Sequence, residues 1–433
     1  MTLLGTHRAD ITPPGPTSLA GYASRAALGP AETVLSPLQL RTFVLGARNE
    51  SPVVIVGADL LWWSDELVRT LRTQVRAHFD IPEQNLVLHA THTHSGPQTC
   101  RYMTPSLGTV DPNYVDHLRR TTLASIEAAL GERTPVRIEI GRAMADVSVN
   151  RRWARTAGQL PSTPIDRELT AVRFVDEAGQ SVAAFVHFAC HPVVHHGHAF
   201  SSDFPGALTT ELESDIAPVV MYLQGCCGDV NPDRYGPAGS FHDGGQPEID
   251  RMGQDLAGTA RLAFGAAQDA GRPRVNLSRA QVDLPLQDRI AVSGLRRLAA
   301  NDDYIGEWAR LMLDHPDRYT RTPFLDMVRV DLSERLRLLA MPAEPFSLFG
   351  LHAKRVSGHT CLPMGYTDGM TTYLMGAGEH AEGGYEPEEA PFYMGMPAAL
   401  APSVESVVLE AITDMVAGPA LQRPAAPQSV TNS

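Results

Sequence analysis

The 433-residue chain is short of positive charge, with 36 lysines and arginines against 49 aspartates and glutamates and a formal net charge of −13. Such a balance argues against general binding of nucleic acid or anionic membrane surfaces. Long apolar runs are missing as well. The longest, such as "SPVVIVGADLLWW", stop well short of the ~20 residues that a spanning helix needs, so no stable membrane insertion is expected. The opening "MTLLGTHRADITPPG" has no basic start ahead of an apolar core. There are only five cysteines, without zinc-ribbon or redox spacing, and the expectation is a reduced, cytoplasmic protein. With no internal repeat and no obvious linker, the chain reads as one domain over 1–420, followed by a disordered tail over 421–433.

What is present is an alternation of β-branched and amphipathic segments. "LQLRTFVLGA", "PVVIVGADL" and "NLVLHA" read as strands, and "WSDELVRTLRTQVRAHF" has helical spacing. "DPNYVDHLRRTTLASIEAALGER" opens on Asp-Pro and ends near a glycine, as a helix should. "LTAVRFVDEAGQSVAAFVHFACHP" reads as a hairpin turning at Glu177, Ala178 and Gly179, and "APVVMYLQGCCGD" as a further strand. Beyond Arg272, "VNLSRAQVDLPL" looks extended, "SGLRRLAANDDYIGEWARLMLD" helical, and "MVRVDLSERLRLLAMPAE" like a hairpin feeding a helix. The fold class that follows is α/β, a layered sandwich with a mixed β-sheet core flanked by helices.

The chemistry sits where strands end. In "NLVLHATHTHSGPQT", His92 and His94 alternate; in an extended segment they project to the same side, roughly 7 Å apart at the backbone. "HFACHPVVHHGHAFSSDFPG" adds five histidines and Asp203 after another strand. Neutral imidazole is the commonest ligand of zinc and its neighbours, and such sites draw ligands from several strand ends. His195, His196 and His198 read as loop residues and bystanders. "MYLQGCCGDVNPDR" ends a strand in a Gly-rich turn bearing Asp229, Asn231 and Asp233, and "LLAMPAEPF" places Glu344 ahead of a helix start, where it serves as a carboxylate ligand or a helix cap.

Six segments in order resemble the catalytic N-terminal domain of the neutral/alkaline non-lysosomal ceramidases, zinc-dependent amidases that cut the N-acyl bond of ceramide. "RADITPPGPTSLAGYASR" is similar to that family's opening segment, "THTHSGP" to its most recognisable motif, and "FACHP" with "SSDFPG" to its second histidine and Asp-Gly elements. "QGCCGDVNP" resembles its Gly-Asp-Val-Ser-Pro turn, "MPAEPF" its Pro-Gly-Glu-Phe metal motif, and "GYTDGMTTYLMGAGEHAEGGYE" its tyrosine-bearing stretch. The resemblance implies a short member without the C-terminal immunoglobulin-like domain and a ceramidase-like fold. It also implies one zinc ion, or another transition metal, held by His92, His191, Glu344 and Tyr373. Tyr373 is preferred to Tyr366 and Tyr385 because its spacing to Tyr385 matches the family. His94 then faces substrate, and Arg151, rather than its neighbour Arg152, is the active-site arginine.

One departure changes the expected chemistry. Where ceramide-cleaving members carry a catalytic serine, this chain has Asn231, whose amide is no nucleophile but can donate to an oxyanion. The expectation is an amidohydrolase that cleaves an N-acyl bond of a small molecule by metal-activated water. His94 or Asp203 would assist proton transfer, and Arg151 with Asn231 would hold the oxyanion. Cys226 or Cys227 as nucleophile lacks an identifiable thiolate-stabilising partner. Two alternatives remain: a metal-dependent cyclase, lyase or transferase, and a binding protein without activity.

Overall fold

The computed structural model describes residues 2–155, 164–236 and 239–417, so the tail expected over 421–433 lies outside them. Strands Val53–Ala58 and Leu86–Ala90 are buried along their whole length, as parallel strands covered on both faces should be. Helix Asp65–Phe79 starts at Ser64, whose hydroxyl accepts the Leu67 N–H, and buries Leu67, Leu71 and Val75 on one face. Helix Pro112–Gly131 begins on an Asp111 cap with proline at its first position. The region read as one helix after Arg272 is two, Val292–Leu298 and Tyr304–Asp314. Asp303 ends the continuity by accepting the Gly306 N–H and capping a new start.

Nine strands form a mixed sheet. Its order is Leu86–Ala90, Val53–Ala58, Gln39–Ala47, Thr2–Asp10, Thr134–Met144, Glu168–Val175, Ser181–Phe188 and Val220–Gln224, with Gln268–Asp269 joined to Thr134–Met144. Pairing is parallel at the two ends and antiparallel between them. A second sheet of Pro273–Asp283, Phe324–Ser333, Leu336–Ala340 and Cys361–Met364 packs on one face, where Phe43, Ile55, Phe174 and Phe185 meet Val328, Val330 and Leu338. Helices Asp65–Phe79, Pro112–Gly131, Asp203–Glu213 and Gln246–Gly265 cover the other face of the large sheet. Ser347–Val356 and Val404–Ala417 cover the outer face of the small one. The layered mixed-sheet sandwich read from the sequence is therefore present, with two sheets between its helices.

The large sheet also curls until its edges touch. The Gln224 N–H donates to His89 Nε2 at 2.8 Å, and the Gln224 side chain donates to the carbonyls of Thr91 and Cys190 at 3.3 and 2.7 Å. Gly57 is the close approach in this seam, since a Cβ there would stand 2.8 Å from Met221 Cγ. Joining the edges brings the ends of Leu86–Ala90 and Ser181–Phe188 together, although they are far apart in strand order. The loops that leave those ends carry His92 and His191.

Candidate metal centre

The strand through Leu86 ends at Ala90, before the alternating histidines. His92 takes a left-handed backbone, φ 67°, while its N–H donates to the Leu60 carbonyl at 2.9 Å. The expectation that a pleated segment aligns His92 and His94 is thus corrected: a left-handed turn at His92 does so. The two rings meet edge to face with centroids 4.9 Å apart, and their Nε2 atoms are 3.3 Å apart. Tyr366 stacks on the His92 ring at 3.9 Å, with its hydroxyl 3.0 Å from Cys227 Sγ.

Glu344 sits between His92 and His191. Its Oε1 is 3.2 Å from His92 Nε2 and 2.6 Å from His191 Nε2, and all three side chains are essentially excluded from solvent. The Nδ1 atoms face backbone carbonyls, His92 at 2.9 Å from Leu61 O and His191 at 3.1 Å from Val230 O. Those carbonyls accept N–H from Nδ1, which leaves each Nε2 as a bare lone pair aimed at the site. Burial lowers the pKa of His191 to about 4. Burial opposes the charge on Glu344, yet His92 and His191 hold its carboxyl well below the usual range. Neutral imidazole lone pairs around a carboxylate repel one another unless a cation lies among them. That donor set fits a divalent transition ion.

Tyr373 pairs directly with Glu344 in a short parallel ladder. The Arg151 guanidinium lies 5.4 Å from its ring centroid, and the two groups interact electrostatically. Tyr385 stands 6.0 Å from Tyr373, ring to ring, whereas the Tyr366 hydroxyl is already engaged by Cys227. His92, His191, Glu344 and Tyr373 are therefore neighbours, with Tyr373 on the Arg151 side. The three imidazoles of His92, His94 and His191 also bring ring nitrogens within 4.8 Å of one another, so His94 joins the group that can hold an ion.

Arg151 donates from Nη2 to Glu386 at 2.7 Å, and its Nε is buried without a hydrogen-bond partner. Its backbone N–H is held by the Asp229 carbonyl, and Asp229 in turn accepts from Asn150 and Ser347. Asn231 donates to the Tyr235 hydroxyl at 2.9 Å, while its Oδ1 is buried with no partner. Asp203 is placed differently from a proton shuttle. Its carboxylate accepts the backbone N–H groups of His195 and Phe204 at 3.0 and 2.7 Å, which ties the histidine-rich loop to the start of a helix. Burial raises its pKa to about 6. His195, His196 and His198 lie outside the clustered imidazoles. Burial pushes the thiols of Cys226 and Cys227 well up, which opposes a thiolate nucleophile.

Sequence reasoning missed the wall behind His94. Gly21, at φ 101°, passes so close that a Cβ there would stand 2.8 Å from His94 Nδ1. The Tyr22 ring is 4.8 Å from that of His94, and Arg25 both covers Tyr22 at 4.6 Å and donates to the His94 carbonyl. The available signal was the resemblance of "RADITPPGPTSLAGYASR" to the family's opening segment, but no local pattern ties a loop near the N-terminus to residue 94.

The sequence profile described as neutral/alkaline non-lysosomal ceramidase, N-terminal, matches residues 2–251. The chain belongs to that family. Among curated ceramidases, the Oryza sativa subsp. japonica neutral ceramidase is 27% identical over 206 residues, and neutral ceramidase 1 of Arabidopsis thaliana 28% identical over 204. Each match spans 44% of this chain but only 26% of the relative. The crystal structure of neutral ceramidase from Pseudomonas aeruginosa superposes with a TM-score of 0.77 at 19% identity, covering 96% of this chain and 74% of that one. A ceramidase complexed with C2 gives 0.76 at 18%, covering 98% and 77%. These likenesses establish a ceramidase fold. Glu344 and Tyr373 lie beyond the matched residues 2–251, so their role rests on where the fold places them.

Proposed function

We propose that this ceramidase-family protein is a metal-dependent amidohydrolase that cleaves the N-acyl bond of a small molecule. The observation that carries this reading is the convergence of His92 Nε2 and His191 Nε2 on one Glu344 oxygen, beside Tyr373 and Arg151. An ion held by His92, His191, Glu344 and Tyr373, zinc by preference, supplies Lewis acidity that polarises a carbonyl and makes water nucleophilic near neutral pH.

The chain's own side chains do the remaining work. His94 Nε2 faces the same space as His92 Nε2 and receives the proton lost by the attacking oxygen, then returns it to the departing amine. Gly21, Tyr22 and Arg25 hold the His94 ring in that orientation. Arg151, anchored by Glu386 beside Tyr373 and with a buried, unpartnered Nε, stabilises negative charge on the former carbonyl oxygen. Asn231 keeps one Nδ2 hydrogen on Tyr235 and has a second for the same oxygen. Because an amide replaces the family's serine, attack by water requires no covalent acyl-enzyme.

The test is a panel of N-acyl amines, with ceramides of short and long acyl chain among them, incubated with metal-loaded protein and with His191→Ala. Release of free amine and acid by the first and not by the second supports the proposal. Rearranged or eliminated products without net hydrolysis would instead identify a cyclase or lyase on this scaffold.

A further inference from the structure

Away from the histidines lies a cavity of about 270 Å³ between helix Asp65–Phe79 and the segment around Pro316–Thr320. Four arginines line it: Arg69, Arg72, Arg318 and Arg321. Two aspartates of its wall are already neutralised, since Asp326 and Asp368 share Arg72 and Arg279 at 2.7–3.6 Å. The other three guanidiniums share a single carboxylate, Asp65. Among the described residues, none forms an ion pair or hydrogen bond with the guanidinium of Arg69, Arg318 or Arg321; Arg318 lies over the Tyr102 ring at 4.3 Å and Arg321 over Phe324 at 5.3 Å. Asp65 is the one remaining carboxylate of the lining; burial pushes its pKa up, against the attraction of Arg318, Arg69 and Arg321. In a chain of net charge −13, this cavity gathers three guanidiniums around one carboxylate, an excess of positive charge.

Two of the lining arginines also carry an unpaired donor. Arg72 Nε and Arg318 Nε are shielded from solvent and have no hydrogen-bond partner. A buried donor left unpaired costs about 1–3 kcal/mol, more when charged, and an oxyanion removes that cost. Phe324, Met370, Met394 and Met396 supply an apolar side for the uncharged part of such a ligand.

We propose that this cavity is a binding site for a phosphomonoester dianion, separate from the metal centre. Forked guanidiniums on opposite walls match the several oxygens of a phosphoryl group better than a point charge would. The site also abuts the two stretches that deliver the metal-centre residues. Pro342 and Thr371 line it and are joined by a 2.8 Å hydrogen bond from Thr371 N–H; two residues further along, Glu344 and Tyr373 pair in their ladder. An occupant therefore braces the loops that hold Glu344 and Tyr373.

The proposal stands independently of the amidase reading, and its test reads binding. Calorimetry of the metal-loaded protein would use glycerol 1-phosphate, inorganic phosphate, and phosphatidylcholine vesicles with and without phosphatidic acid. Saturable binding of one phosphate-bearing ligand per chain is expected, weakened at least tenfold in R318Q/R321Q and retained in H191A, which removes the metal centre. Should the double variant misfold, R69Q on the exposed helix face is expected to weaken binding at least threefold. Binding by vesicles alone would identify a lipid headgroup as the source, and binding by glycerol 1-phosphate a free metabolite. No saturable binding by any probe, equal binding by the arginine variants, or loss of binding in H191A would overturn the proposal.

Discussion

Nε2 of His191 stands 2.6 Å from Oε1 of Glu344, across 153 residues of sequence. Because Nδ1 of the ring faces the Val230 carbonyl, the atom facing the carboxylate is a lone pair, and the contact is attractive only with a cation between or beside the two. Glu344→Gln supplies an amide N–H that bonds to Nε2 directly. The variant is expected to fold without metal at least as well as the chelated parent. Its melting temperature should be unmoved by chelator, whereas the parent's falls. Equal chelator shifts in both proteins would remove Glu344 from the metal centre.

Tyr366 supports His92 by stacking at 3.9 Å and is tied to Cys227 through its hydroxyl. Tyr366→Phe keeps the stack and should change metal affinity less than threefold. Tyr366→Ala removes the stack and leaves a cavity, at a cost of about 3 kcal/mol. It should weaken the metal at least tenfold in a competition titration against a chromogenic chelator.

Asn231 separates the proposed chemistry from a serine-dependent one. Loss of one oxyanion donor costs about 100-fold in kcat, so Asn231→Ala is expected to keep a slow but measurable rate with little change in KM. An unchanged kcat would show that Asn231 makes no contact with the reacting oxygen.

His89 is fully buried at the seam of the large sheet, with Nε2 accepting the Gln224 N–H and Nδ1 against Thr367 Oγ1 at 2.9 Å. Burial lowers its pKa to about 3. The folded state thus binds the proton less readily than the unfolded chain, whose histidine titrates near 6.5. Stability from this group is complete above about pH 6.5 and lost as the pH falls toward 3, about 3 kcal/mol of it by pH 4. Urea unfolding of the chelated protein should show that acid loss, and His89→Gln should reduce its steepness. Parallel pH curves for the two proteins would contradict the assignment.

Much of this was legible in local pattern. The β-branched runs at Val53–Ala58 and Leu86–Ala90 and the capped amphipathic helices at Asp65 and Pro112 carry their periodicity openly. Thr2–Asp10, which holds the centre of the large sheet, went unread, because Gly5, Thr6, His7 and Arg8 blur its alternation. The second sheet was hidden for a different reason. Three of its strands were visible as extended segments while Cys361–Met364 went unread, and whether two strands share a sheet depends on partners far along the chain. The site followed the same division. Histidines at strand ends announced themselves, and the resemblance chose among them. The His89–Gln224 seam, the left-handed turn at His92 and the Gly21 wall behind His94 depend on tertiary contacts with no sequence period.

The central claim is that His92, His191, Glu344 and Tyr373 surround one divalent ion. Crystals soaked in zinc, with anomalous data collected on both sides of the zinc absorption edge, test it most directly. The account predicts a single strong peak about 2.0–2.2 Å from His92 Nε2, His191 Nε2 and a Glu344 oxygen, absent in crystals of His191→Ala. No peak among these side chains, or one that persists unchanged in the variant, would contradict it.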